Sequence, residues 1–227
     1  MIAHDVVVGV ASAAELRWIA QLEVEHYGNE QAAALYRLQM WHAANPNGFL
    51  VIRDGAELVG HATMLPLKPP ILRALIDGSK GEKDIERDDI FPPGERGAVR
   101  NLYIESLIVQ PIQLFGAFIL SFHRHIARVA VPRHIDALYA YPITAAGRLV
   151  IANLQFQQVG PSLHAAKYAS LAKKTASLRA RMAIDERLAG ERRTENGPGC
   201  SCPLLAARCP LHQGLADFNF TANLCGS

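Results

Sequence analysis

The sequence predicts one mixed α/β domain, a sheet flanked by helices, with a helical extension at its C-terminus. Three observations carry this. Short β-branched or apolar runs of strand length alternate with helix-period segments. The run Asn101–Val109 is apolar except for Asn101, Glu105 and Ser106 and reads as the central strand. The segment after it holds Phe115, Phe118, Phe122, Ile126 and Val129 on one helical face. A chain of 227 residues, half of them hydrophobic, suffices for one sizeable core plus an appendage, and two full domains would be cramped.

In chain order, Val6–Val10 reads as a strand, and Ser12 with Glu15 forms a capping box that opens a helix. Gly28-Asn29 stops that helix, and a second is expected over Ala32–His42, before Asn45-Pro46-Asn47-Gly48. Phe49–Ile52, the turn Arg53-Asp54-Gly55 and Glu57–Leu65 read as a hairpin. The Pro-, Gly- and charge-rich stretch Pro66–Arg100 reads as an insertion over an active face, with one short helix around Ile71–Leu75. A helix over Gln113–Val131 follows the central strand. Ile135–Tyr141 is a further strand, Thr144 caps a helix running to Asn153 with an apolar stripe through Leu149, Val150 and Leu154, and a last strand begins near Phe156. The domain is expected to occupy 1–160, a helical extension and linker 161–199, and a mobile cysteine-bearing tail 200–227.

Composition narrows the partners. Formal net charge is +2 with a pI near 8.4, which requires neither nucleic acid nor a membrane. No apolar run approaches the roughly 20 residues of a membrane span, and no export signal is read at the N-terminus. All four cysteines fall in the last 28 residues, so the body of the fold is held by packing. A soluble protein at a cytoplasmic address is the expectation.

The order β-α-α-β-β-β-α-β-α-β over roughly residues 5–160 resembles the GNAT superfamily of acyl-CoA N-acyltransferases. The resemblance rests on Leu102–Pro111, on Gln113-x-x-Gly116 opening the next helix, and on Leu154-Gln155-Phe156. It implies a mixed, mostly antiparallel sheet whose central strand splays from its neighbour. Free amides at Leu107, Ile108 and Val109 would then bind the pantetheine arm and acyl carbonyl. Gln113, Leu114, Phe115, Gly116 and Ala117 would hold the pyrophosphate at a helix N-terminus. Phe118 stands where a third small residue is usual, Gln155 where a Gly precedes the Phe, Ile151 where many members carry a Tyr that protonates the thiolate, and Thr144 where Asn is common.

Glu105, a carboxylate inside an apolar strand, is the candidate catalytic residue: desolvation raises its pKa and suits it to deprotonate a substrate ammonium. The plainer reading pairs it with Arg100. The resulting expectation is an N-acyltransferase moving an acyl group, acetyl in the first instance, from acetyl-CoA to an amine on a small molecule or protein, with no metal. A homodimer is compatible with it. The alternative is a GNAT-fold module that binds without catalysis. His61 could face the acceptor side or lie on the sheet surface, and His123 and His125, two apart on a helix, point to different faces. Cys200-x-Cys202-x6-Cys209-x2-His212 lacks paired zinc knuckles. Lys167–Arg193, with eight Lys or Arg against three acids, reads as a solvated helix face.

Overall fold

The computed structural model describes residues 6–110, 114–173 and 176–177. Seven strands form one sheet: β1 (Val6–Val10), β2 (Phe49–Asp54), β3 (Glu57–Leu65), β4 (Asn101–Val109), β5 (Ala137–Ala140), β6 (Gln157–Gln158) and β7 (His164–Lys167). Their order is β1-β2-β3-β4-β5-β7-β6, and every pair is antiparallel except β4–β5. A parallel pair needs a crossover, and helix α4 (Phe115–Val129) lies between these two strands in the chain.

Alternation along the strands builds a core on each face. Phe49, Val51, Leu65 and Tyr103 pack with α1 (Leu16–Tyr27), α2 (Leu35–Ala44) and α3 (Pro69–Asp77). Leu50, Ile52, Ala62, Met64, Leu102 and Leu138 pack with α4 through Phe118, Phe122, Ile126 and Val129. The partly buried Val150, Ile151 and Leu154 join them from the region of α5 (Ala145–Asn153).

Local chemistry sets most ends. The Ser12 N–H donates to the Glu15 carboxylate at 2.7 Å, completing the capping box, and Gly28 leaves α1 at φ 78°. Thr144 Oγ1 accepts from the Gly147 N–H at 2.9 Å and starts α5.

The structure corrects several expectations. Helix α2 begins at Leu35 rather than Ala32, because residues 28–33 fold back on α1, with the Ala33 N–H donating to Glu23 Oε2 at 3.0 Å. The strand expected over Ile135–Tyr141 is only Ala137–Ala140. Leu149 is 48% exposed and lies off the buried stripe of α5. The sheet runs past residue 160, since β7 inserts between β5 and β6; only from Tyr168 is the chain helical. The stretch Pro66–Arg100 is no loose cover. Leu67, Ile71, Leu72, Leu75, Ile85 and Ile90 are buried in the core, Leu67 bridges to Ile90, and the Trp41 indole N–H donates to the Ile85 carbonyl at 3.0 Å. The cysteine tail and most of Lys167–Arg193 lie outside the described residues. No described helix is long and apolar enough to cross a membrane.

Candidate active site

Strand β4 carries the irregularity that makes the site. Against β3, Thr63 pairs with Ser106 and Met64 with Ile104, so Glu105 is an extra residue with no partner opposite it. Such a β-bulge bends its strand and changes which side chains share a face. Leu102 and Ile104 face the α4 layer before it, as do Leu107 and Val109 after it, while Tyr103, Ser106 and Ile108 take the opposite face. On its other edge β4 pairs with β5 only from Asn101↔Ala137 to Ile104↔Ala140. Beyond the bulge that edge has no strand neighbour among the described residues, and Pro142 follows the end of β5.

The opening is a cleft of about 910 Å³. Leu107, Ile108 and Val109 line it, together with Ile143, Val150, Ile151, Leu154 and Phe156 on the α5 side and Trp18, Leu22, His26 and Tyr27 from α1. The Gln110 N–H donates to the Val59 carbonyl at 2.8 Å, so it points at β3. Alternation then turns the Ile108 amide toward β3 as well, and those of Leu107 and Val109 toward the open edge. Two of the three amides expected to bind an acyl arm therefore face the cleft. Gln113 lies outside the described residues, and Phe115, Gly116 and Ala117 form the first turn of α4. The side chain of Leu114 belongs to the core.

Sequence reasoning singled out Glu105 and missed its surroundings. Arg100 does not pair with it: that guanidinium donates to the Gly97 and Val99 carbonyls. Instead Glu105 shares its environment with two other acids, Glu23 of α1 and Glu82 from the segment after α3. Burial first, and then the charges of Glu23 and Glu82, hold Glu105 well above the usual carboxylate range, while the Thr63 hydroxyl acts the other way. Burial and the charge of Glu23 push Glu82 up to about 8. Burial pushes Glu23 up to about 7 despite the hydrogen bonds it accepts. Glu105 Oε2 and Glu82 Oε1 are both closed off without a hydrogen-bond partner, yet both residues line the cleft.

Beneath them lies a buried polar chain. His61, fully buried on β3, has Nε2 3.3 Å from Ser106 Oγ. Ser106 donates to the Tyr27 hydroxyl at 3.3 Å, and Tyr27 donates to the Leu107 carbonyl at 3.4 Å. His61 Nε2 also lies 3.5 Å from Glu23 Oε1, which would be an ion pair if both were charged. Burial decides against that: it holds His61 down to about 3, so the imidazole is uncharged, and lifts Glu23, which keeps its proton below about pH 7. Burial likewise pushes the Tyr27 hydroxyl up to about 12. His61 is thus neither at the acceptor nor on the sheet surface. At the rim, His26 Nδ1–H donates to the Leu22 carbonyl at 2.9 Å, leaving Nε2 to meet the Gln110 amide. His125 is buried on α4, and no group of three metal-ligating side chains occurs among the described residues.

A mixed sheet, mostly antiparallel, whose bulged central strand parts from its parallel neighbour is the arrangement the sequence resemblance implied. The fold is GNAT-like. No family model matches the sequence, and no curated protein matches it. Among solved structures, the chain is similar to the GphF GNAT-like decarboxylase in complex with isobutyryl-CoA, at 19% identity over 64% of this chain and 71% of that one, with a TM-score of 0.47. It is similar to the loading GNATL domain of CurA from Lyngbya majuscula at 12% identity and a TM-score of 0.47, covering 60% of this chain and 64% of that domain, just under two thirds. An agmatine N-acetyltransferase is similar at 12% identity and a TM-score of 0.44, covering 72% of this chain and 99% of that one. Each of these is a likeness of fold.

Proposed function

We propose that the protein binds an acyl-CoA along the open edge of β4 and transfers the acyl group, acetyl in the first instance, to an amine. The observation that supports this reading best is the end of β4–β5 pairing at Ile104↔Ala140, which leaves the Leu107 and Val109 amides facing an apolar cleft beside Glu105. An extended thioester arm would add to that edge as a strand does, with one amide donating to the acyl carbonyl. The apolar lining suits the pantetheine chain. Among the described residues no Lys or Arg lines the cleft, so the pyrophosphate would depend on main-chain amides at the start of α4.

In this reading an ammonium entering beside Glu105 displaces the carboxyl proton to solvent and then gives one of its own protons to the carboxylate, and the freed nitrogen attacks the thioester carbon. A C–N bond forms, the C–S bond breaks, the nitrogen loses its second proton to solvent, and the thiolate takes one up. A thiolate is a much weaker base than the amide nitrogen that replaces it would be as an anion and leaves without a strong acid, so Ile151 in place of Tyr does not bar the reaction. Ile151 and the lack of cations along the cleft do favour a second reading, a module that holds the thioester without turnover. Titration of acetyl-CoA in a calorimeter, followed by thiol release on a panel of amines, tests both. Saturable binding with amine-dependent thiol release is expected. Binding without release leaves the second reading, and no heat at millimolar ligand removes both.

A further inference from the structure

The charge on the cleft wall is one-sided. Asp54, Glu57, Glu82 and Glu105 line it, and among the described residues no Lys or Arg does. The acids at its inner end are unsatisfied, since Glu82 Oε1 and Glu105 Oε2 are sealed from solvent without a hydrogen-bond partner. A buried carboxyl with an unmade hydrogen bond is costly, and a cationic group from a ligand supplies what is missing. The Tyr103 hydroxyl and the charges of Arg37 and Lys83 favour an ionised Glu82 but leave its Oε1 without a partner, because both cations are engaged elsewhere. The Lys83 ammonium donates to the Glu30 carbonyl at 2.8 Å, and the Arg37 guanidinium donates to the Lys83 carbonyl and the Tyr36 hydroxyl. Glu82 is held in place: the Trp41 indole is bonded to the Ile85 carbonyl, and the turn Glu82–Asp84 closes through the Gly81 N–H on Asp84 at 2.8 Å.

From this we propose that the acceptor is a small dication, a primary amine that carries a second positive group. Glu105 receives the ammonium whose freed amine attacks, and Glu82 receives the second charge. This rests on the proposed transfer reading for the place of the acyl group, and deepens it by naming the substrate class. Selectivity follows from desolvation. A monoamine leaves one of the two carboxyls without a cation, and an acceptor with a carboxylate in place of the second cation offers Glu82 no positive charge. Both carboxyls are held protonated by burial, so each gives up a proton when a cation settles against it.

The experiment compares 1,4-diaminobutane with 1-aminobutane by calorimetry on the full chain, with and without acetyl-CoA, in two buffers of different ionisation enthalpy. The diamine is expected to bind at least tenfold more tightly than the monoamine, with net proton release at pH 7. Glu82→Gln is expected to bring the two amines within about twofold of each other. Equal affinity of the two amines for the wild type, or a preference untouched in a folded Glu82→Gln variant, overturns the proposal. If that variant does not fold, absence of proton release from the wild type overturns it instead. The two readings fail separately. Diamine preference without acetyl-CoA binding sinks the transferase reading, and thiol release on monoamines as fast as on diamines sinks the dication.

Discussion

Replacing Glu23 with Gln tests the electrostatic account of the site, because its effect on stability has a sign as well as a size. Glu23 is fully buried, and burial moves its pKa from 4.5 to about 7. Between those values the folded chain holds a proton that the unfolded chain has lost. Stability from this group is therefore complete below pH 4.5 and falls as pH rises toward 7. A displacement of that size corresponds to about 3 kcal/mol. Gln keeps an oxygen to accept from the Ala33 N–H and has no proton to lose. Removing the Glu23 charge also relieves Glu105 and Glu82, which acts in the same direction. Urea unfolding should show the two proteins within about 1 kcal/mol at pH 5, with Glu23→Gln more stable by about 3 kcal/mol at pH 8. A variant equal to wild type at pH 8, or less stable, would refute the raised Glu23 pKa, since burial would then not penalise its charge.

Three further outcomes follow from the same geometry. Glu105→Gln is expected to lower amine turnover by about 10²–10⁴-fold while leaving the heat of acetyl-CoA binding in place, and the wild-type rate should climb with pH through the range where a raised carboxyl ionises; a pH–rate profile with the variant checks both. Gly60→Ala places a Cβ 2.4 Å from the Ile108 carbonyl oxygen, so β3 must shift from β4 beside the open edge; a loss of about 1–3 kcal/mol in denaturant unfolding and weaker acetyl-CoA binding are expected. Gln155 sits at φ 62°, a left-handed conformation that Gly adopts without strain, so Gln155→Gly should raise stability by up to about 1 kcal/mol in a thermal melt, whereas Gln155→Val should lower it.

Glu23 also marks how far a sequence reaches. Its position follows Leu16 and Ile19 on the buried stripe of α1, so helical spacing alone could have flagged an acid in the core. Glu82 carried no such signal, because it lies in an irregular segment whose path is set by Trp41, Ile85 and Leu67. The adjacent polar pair Glu105-Ser106 breaks the period of an otherwise apolar strand, and the structure resolves that break as a bulge. Gln155 occupies a position where the resemblance expected Gly, and the backbone there still takes the left-handed conformation.

The amino-acid order by itself determined the strand Asn101–Val109, the hairpin around Gly55, the capping box of Ser12 and Glu15, and the Thr144 cap. Each depends on residues within a few positions of one another, where propensity and hydrogen-bond chemistry act locally. Only the tertiary structure decided that β7 enters the sheet, that β4 parts from β5 after Ile104, and that Glu82 of a mid-chain turn and Glu105 of β4 line one cleft while Glu23 of α1 is buried. Those outcomes follow from register and burial between segments far apart in the chain. No local pattern encodes which carboxyl will be left without water.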